Sequence, residues 1–163
     1  MADTTLIDDF SDKTGPWRFF TDQVMGGVST GEGRVTTENG RRFLHLTGSV
    51  STENRGGFIQ ARRDLDTPLP SAATGVRITV RGDGQSYFLH LRTRGTVLPW
   101  QYYQAEFQAG PAWRDITLPF SAFKASGRLL PATPKPDRVE SVALVAYGRD
   151  HQADVSLARI EAV

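Results

Sequence analysis

The chain has 163 residues, nineteen basic and eighteen acidic side chains, three histidines and no cysteine. Without cysteine there is no thiol nucleophile, iron–sulfur cluster, zinc ribbon or Cys-x-x-Cys redox site, and a net charge of +1 gives no global excess to neutralise a nucleic-acid backbone. A chain of this length buries roughly 68–70% of the surface its unfolded form exposes, so a single domain, 1–163, is expected, with a core that needs no staples.

The amino terminus, Met1 to Phe10, opens acidic, with neither a basic segment nor an apolar run. It predicts no signal peptide and a cytoplasmic location. No uncharged stretch approaches the ~18 apolar residues of a membrane helix, so no membrane span is expected. Glycine (16) and proline (9) then fall between short alternating runs at 42–47, 57–63, 75–81, 86–93, 101–108, 112–118, 139–147 and 155–163. Alternation of this kind predicts seven or eight strands and an all-β sandwich or barrel. The segment 125–137, with Pro131, Pro134 and Pro136, reads as a long surface loop.

Alternation also assigns faces. Tyr87, Leu89 and Leu91 point to the core and leave Phe88, His90 and Arg92 on the other side. Tyr103, Ala105 and Phe107 do the same, opposite Tyr102, Gln104 and Glu106. If these runs are antiparallel neighbours, His90, Arg92, Tyr102, Gln104 and Glu106 form one polar-aromatic surface. Arg77, Thr79 and Arg81 stand opposite Val76, Ile78 and Val80, and Phe58, Gln60 and Arg62 are expected to join the same sheet. The run Val142 to Val145 is apolar on both faces and should be central.

Few motifs carry chemistry. Thr21-Asp22-Gln23-Val24-Met25-Gly26-Gly27-Val28-Ser29 is a glycine loop with no following Gly-Lys-Ser/Thr, which favours a structural turn over a phosphate cradle. Arg55-Gly56-Gly57-Phe58 reads as a hairpin corner, and Asp83-Gly84 as a two-residue turn. No serine sits in a nucleophile elbow. His45, His90 and His151 lack metal-ligand spacing, and His90 is the least bland, beside Arg92 and across from Glu106. Asp8, Asp9 and Asp22 could offer oxygens to calcium but lack a calcium-loop spacing, so no metal is assigned. Trp100, after Leu98-Pro99 and next to Tyr102, suits a sugar- or protein-binding surface, and Trp113 suits a strand face away from Ile116.

Taken in order, Asp22-Gln23-Val24-Met25-Gly26-Gly27-Val28-Ser29, Phe43-Leu44-His45-Leu46-Thr47-Gly48, Arg55-Gly56-Gly57-Phe58, Val80-Arg81-Gly82-Asp83-Gly84-Gln85-Ser86-Tyr87, Tyr103-Gln104-Ala105-Glu106-Phe107 and Trp113 through Phe120 with Phe123 resemble the complex I intermediate-associated protein 30 family. The likeness runs from about Phe10 to Ile160. It implies a galactose-binding-domain-like jelly-roll β-sandwich, akin to some carbohydrate-binding modules. It also implies a chaperone-like assembly factor for respiratory NADH:ubiquinone oxidoreductase, in a bacterial stand-alone form because no transit peptide is present. What transfers residue by residue is the motif set Asp22, Met25, Gly26, Gly27, Gly57, Arg81, Gly82, Asp83, Gly84 and Tyr87, read as structural.

The expectation is therefore a non-enzymatic binding protein without a cofactor, whose partner is a respiratory subunit or assembly intermediate. Its surface would comprise Arg62, His90, Arg92, Trp100, Tyr102, Gln104 and Glu106. The alternative is a carbohydrate-binding module using the same face for a glycan. An RNA-binding role would require Arg62, Arg77, Arg81 and Arg92 to share one side.

Overall fold

The computed structural model describes residues 5–11, 16–94, 101–127 and 130–163. Their strands are β1 (Thr5–Asp8), β2 (Arg18–Thr21), β3 (Thr30–Glu38), β4 (Arg41–Val50), β5 (Phe58–Asp64), β6 (Gly75–Gly82), β7 (Ser86–Thr93), β8 (Tyr103–Gln108), β9 (Arg114–Pro119), β10 (Lys124–Ala125), β11 (Val139–Tyr147) and β12 (His151–Ala162). One antiparallel sheet runs β3-β4-β12-β6-β9, with β1 also paired to β12. The second runs β10-β8-β7-β11-β5-β2. Facing each other, the two make a jelly-roll sandwich.

Period-2 alternation builds the core. Leu44, Leu46, Val76, Ile78, Val80, Val155, Leu157 and Ile160 project from the first sheet to meet Ile59, Ala61, Tyr87, Leu89, Leu91, Tyr103, Phe107, Val142 and Leu144 from the second. Each large aliphatic side chain withdrawn from water stabilises the sandwich by ~1.5–3 kcal/mol. The edge strand β3, Thr-Gly-Glu-Gly-Arg-Val-Thr-Thr-Glu, is mostly exposed and offers little alternation to read. The four-residue strands β1 and β2 are similarly silent in the sequence.

One expectation about sheet membership changes, and one about a turn. The strand β6 lies in the first sheet and β5 in the second, so Arg77 and Arg81 face away from Arg62 and Arg92 on the opposite side of the sandwich. That separates the four arginines an RNA-binding face would need. The Asp83-Gly84 turn is not a hairpin, because it carries the chain from β6 in one sheet to β7 in the other. Its motif residues explain the crossing. Tyr87, fully buried, donates its hydroxyl to Asp83 Oδ1 (2.8 Å) and accepts the Asp154 N–H (2.8 Å), while the Gly84 N–H donates to the Ala109 carbonyl (2.7 Å). Burial comes first in raising the Tyr87 pKa, and the hydrogen bond to Asp83 adds to it, keeping the phenol protonated. Arg81 lies over the rings of Trp113 (4.6 Å) and Phe43 (5.2 Å) and forks onto Glu38. Trp113 thus sits away from Ile116, covered by arginines instead of by a loop.

The Arg55-Gly56-Gly57 segment, whose Arg55 ends a short 3-10 turn, Glu53–Arg55, is not a hairpin corner; it leads from β4 in the first sheet to β5 in the second. Segment 125–137 is more than surface loop. Leu130 enters the core, the Tyr103 hydroxyl donates to the Pro131 carbonyl (2.8 Å), and Lys124 and Ala125 pair with β8. Among the described residues no helix is long and apolar enough to cross a membrane.

Candidate functional site

The outward face of the second sheet carries a groove of about 840 Å³. Its origin is the central strand β11. On the core side Val142, Leu144 and Ala146 are buried; on the outer side the small residues Ser141 and Ala143 form the floor of the groove, themselves covered by the longer side chains around them. Register sets larger side chains on both flanks. Ala143 lies between Arg62 on β5 and His90 on β7, Ser141 between Asp64 and Arg92, and Val145 between Gln60 and Phe88. Small residues in the middle of a sheet with long ones on either side leave a trough along the strands. Phe20, Phe58, Tyr102 and Tyr147 complete its walls.

The groups in the trough are held in place. His90 stacks flat on Tyr102, with ring centroids 4.2 Å apart and planes at 8°, and its Nε2 bonds Gln104 Oε1 at 2.8 Å. Because the amide oxygen is an acceptor, Nε2 carries the proton and Nδ1 is the acceptor nitrogen. Burial pushes the His90 pKa down to about 4, with the nearby Arg62 charge adding to the fall against the Gln104 bond. The ring is neutral at pH 7. Arg62 lies over the Phe20 ring (4.7 Å) and donates to Gln60 Oε1 (3.4 Å). Burial, then the charges of Arg92 and Arg18, lower its pKa to about 10, so it stays cationic. Arg92 is lowered by burial too, against the pull of Glu140. Burial raises the Tyr102 pKa to about 12, and Tyr147 shares a hydrogen bond with its hydroxyl.

A rigid loop overhangs one end. Asp22, 0% exposed, opens a 3-10 turn, Asp22–Met25. Its carboxylate accepts the Ser29 N–H (2.9 Å), the Ser29 hydroxyl (2.6 Å), and the N–H groups of Gly57 and Phe58. Burial would raise its pKa, but those donors outweigh it and hold the pKa below the ordinary value. Gly26 closes the turn in the left-handed region (φ 86°), and a side chain on Gly27 would run into the Asp22 carboxyl. Gln23 Nε2 fastens the far side to the Ser29 carbonyl (2.8 Å). This framework presents two apolar side chains to solvent: Val24 is 69% exposed and Met25 63%, both at the groove. Asp22 is therefore occupied by N–H and O–H donors, and Asp8 by Trp17 Nε1 and Arg63, so neither is poised for a cation. Among the described residues no cluster of three His, Asp or Glu side chains gathers to hold a metal.

Of the residues the sequence singled out, Arg62, His90, Arg92 and Tyr102 line the groove together. Gln104 supports it through His90. Glu106 shares the face but pairs across from Phe88, outside the groove lining; register puts Gln104, and not Glu106, opposite His90. Trp100 lies outside the described residues. Phe20, Val24, Phe58, Gln60, Ala143 and Tyr147 were not singled out as site residues. Phe58 and Gln60 share the alternation of Arg62 and could have been found, whereas Phe20 sits on a strand too short to read. Met25, counted with the structural motif, is instead 63% exposed and lines the groove.

Residues 8–158 match the profile of the complex I intermediate-associated protein 30 family. No curated protein sequence matches the chain significantly. Among solved structures it is similar to a family 11 carbohydrate-binding module from Clostridium thermocellum in complex with a β-1,3-1,4-mixed-linked tetrasaccharide, with 14% identity, TM-score 0.77, and 98% of this chain and 95% of that chain covered. The family 11 module of a cellulosomal cellulase of Clostridium thermocellum gives 13% identity and TM-score 0.81, covering 100% and 95%. A family 30 carbohydrate-binding module gives 11% identity and TM-score 0.62, covering 98% and 87%. At these identities the likeness establishes the jelly-roll fold.

Proposed function

We propose, from the premise that this chain belongs to the complex I intermediate-associated protein 30 family, that it is a non-enzymatic binding protein acting in assembly of respiratory NADH:ubiquinone oxidoreductase through the groove of its second sheet. The observation that carries the binding reading is the groove itself: preformed, about 840 Å³, with small residues on its floor and fixed aromatic and cationic walls. Its one buried histidine is neutral, with Nε2 committed to Gln104, which suits a recognition group better than a proton shuttle. The assembly role comes from the family. Deleting the gene in the source organism tests it: complex I and NADH-dependent respiration should fall, and unchanged levels of both would overturn it.

A glycan reading has its own support, since a structural neighbour was solved with a tetrasaccharide. Arg62, Gln60, His90 and Tyr102 provide hydrogen-bonding groups in an open groove. Calorimetric titration with a mixed-linked β-glucan tetrasaccharide separates the two. Saturable binding lost in Tyr102→Ala favours the glycan, and no heat of binding removes it.

A further inference from the structure

The groove says more about its occupant than its size does. Arg62 and Arg92 face it from opposite flanks of β11, and both are half-buried. Each has given up hydration, and the charges of Arg92 and Arg18 bear on Arg62, offset in part by Asp64 on Arg62 and by Glu140 on Arg92. Two like charges in a partly dehydrated trough are stabilised by an anion entering between them. A carboxylate fits best, because a guanidinium fork offers it two parallel hydrogen bonds. The anion's place is biased along the trough, since Asp64 stands level with Arg92 across Ser141 and Glu140 precedes Ser141 on β11, so a second carboxylate is repelled from that end and drawn toward the row of Arg62 and Ala143.

The opposite end is apolar. Phe58 and Tyr147 pair across β5 and β11, and Val24 and Met25 overhang them. Phe58 lies four residues before Arg62 on the same face of β5, a span of about 13 Å at strand rise. Ring faces on which a sugar could stack are already engaged within the protein. The Arg62 guanidinium lies over one face of Phe20, Tyr102 lies on His90, and Phe58 and Tyr147 stand in T-shaped contact with Phe20 and Phe88 at 87° and 82°. Exposed aliphatic side chains such as Val24 and Met25 instead suit another apolar side chain, with methionine adapting to its shape.

We infer that the groove holds an extended segment of a partner protein, with an Asp or Glu carboxylate between Arg62 and Arg92 and an apolar side chain about four residues away against Met25, Phe58 and Tyr147. This rests on the groove being the binding surface, and it adds the chemistry of what binds.

The test is selection of a random octapeptide display library on the full chain. Enriched peptides should carry an acidic residue with Leu, Met, Phe or Trp three to five positions away. Their affinity should fall as salt rises, and by at least about ten-fold in Arg62→Gln and in Arg92→Gln. Met25→Gln should weaken them while leaving the salt dependence in place. Melting temperatures identify any variant that fails to fold, and the salt series with the second arginine variant then decides. Enriched peptides without an acidic residue would overturn the inference. So would affinity indifferent to both arginine substitutions, or no peptide enrichment alongside saturable glycan binding. The outcome is separable from the assembly reading: acidic peptides selected as described, with complex I unaffected by deletion, would remove the assembly role and leave this inference standing.

Discussion

Asp22 is the residue on which the loop depends. Four donors converge on one carboxylate, so Asp22→Ala leaves several buried N–H groups without a partner and should cost about 3 kcal/mol or more, read by chemical denaturation. Its folded pKa lies below the ordinary value of 3.8. The carboxylate's contribution is therefore complete above that value and is lost as pH falls through the lower folded pKa. His90 behaves differently. Its pKa drops from 6.5 to about 4 on folding, so between those values the unfolded chain binds more protons and stability declines as pH falls from about 6.5 towards 4. NMR titration should find the His90 ring still neutral at pH 5.5; a midpoint near 6.5 would mean that the ring is neither buried nor stacked as described. Neither role was legible in the sequence. Asp22 stood in a recognised motif, but its donors come from Ser29, Gly57 and Phe58, brought together only by the fold.

At the scale of the element, β11 governs both core and groove. Its core face and groove face alternate residue by residue, so neighbouring substitutions should separate stability from binding. Leu144→Ala opens the core and should cost about 2–5 kcal/mol. Ala143→Leu, at a covered position on the floor of the trough between Arg62 and His90, should cost less stability than Leu144→Ala while abolishing ligand capture. Equal loss of stability in both would show that the outer face is packed and not open. The sequence revealed β11 as central because it is apolar throughout. It did not reveal that the second cover is a ring of flanking side chains around a trough, since that depends on which strands lie to either side. The same gap explains β6: its alternation was correct, its sheet was not. A strand's faces are written in its own residues, whereas its neighbours are set by long-range pairing.

Across the whole molecule, the two outer faces of the sandwich differ in kind. On the first sheet Arg81 pairs with Glu38, Arg77 with Glu161 and His45 with Asp154, and Trp113 is covered by Arg41 and Arg81. That face is largely satisfied within itself. On the second sheet a preformed trough joins cationic, aromatic and exposed aliphatic groups beside a pinned loop. The near-neutral total charge concealed this, because a net charge sums over faces that do different work. The jelly roll was legible from strand number and motif order, and half of the groove from alternation on β7 and β8. Arg62 on β5 was expected there too, while Phe20, Val24 and Tyr147 required the fold itself.

The proposed assembly role is assigned to this face of the second sheet. Complementation of a deletion strain tests it directly, using wild type and the folded Ala143→Leu variant at equal abundance and measuring assembled complex I by NADH-dependent respiration. Wild type should restore respiration and the filled-groove variant should not. Full restoration by Ala143→Leu would mean that the protein acts through a surface other than the groove.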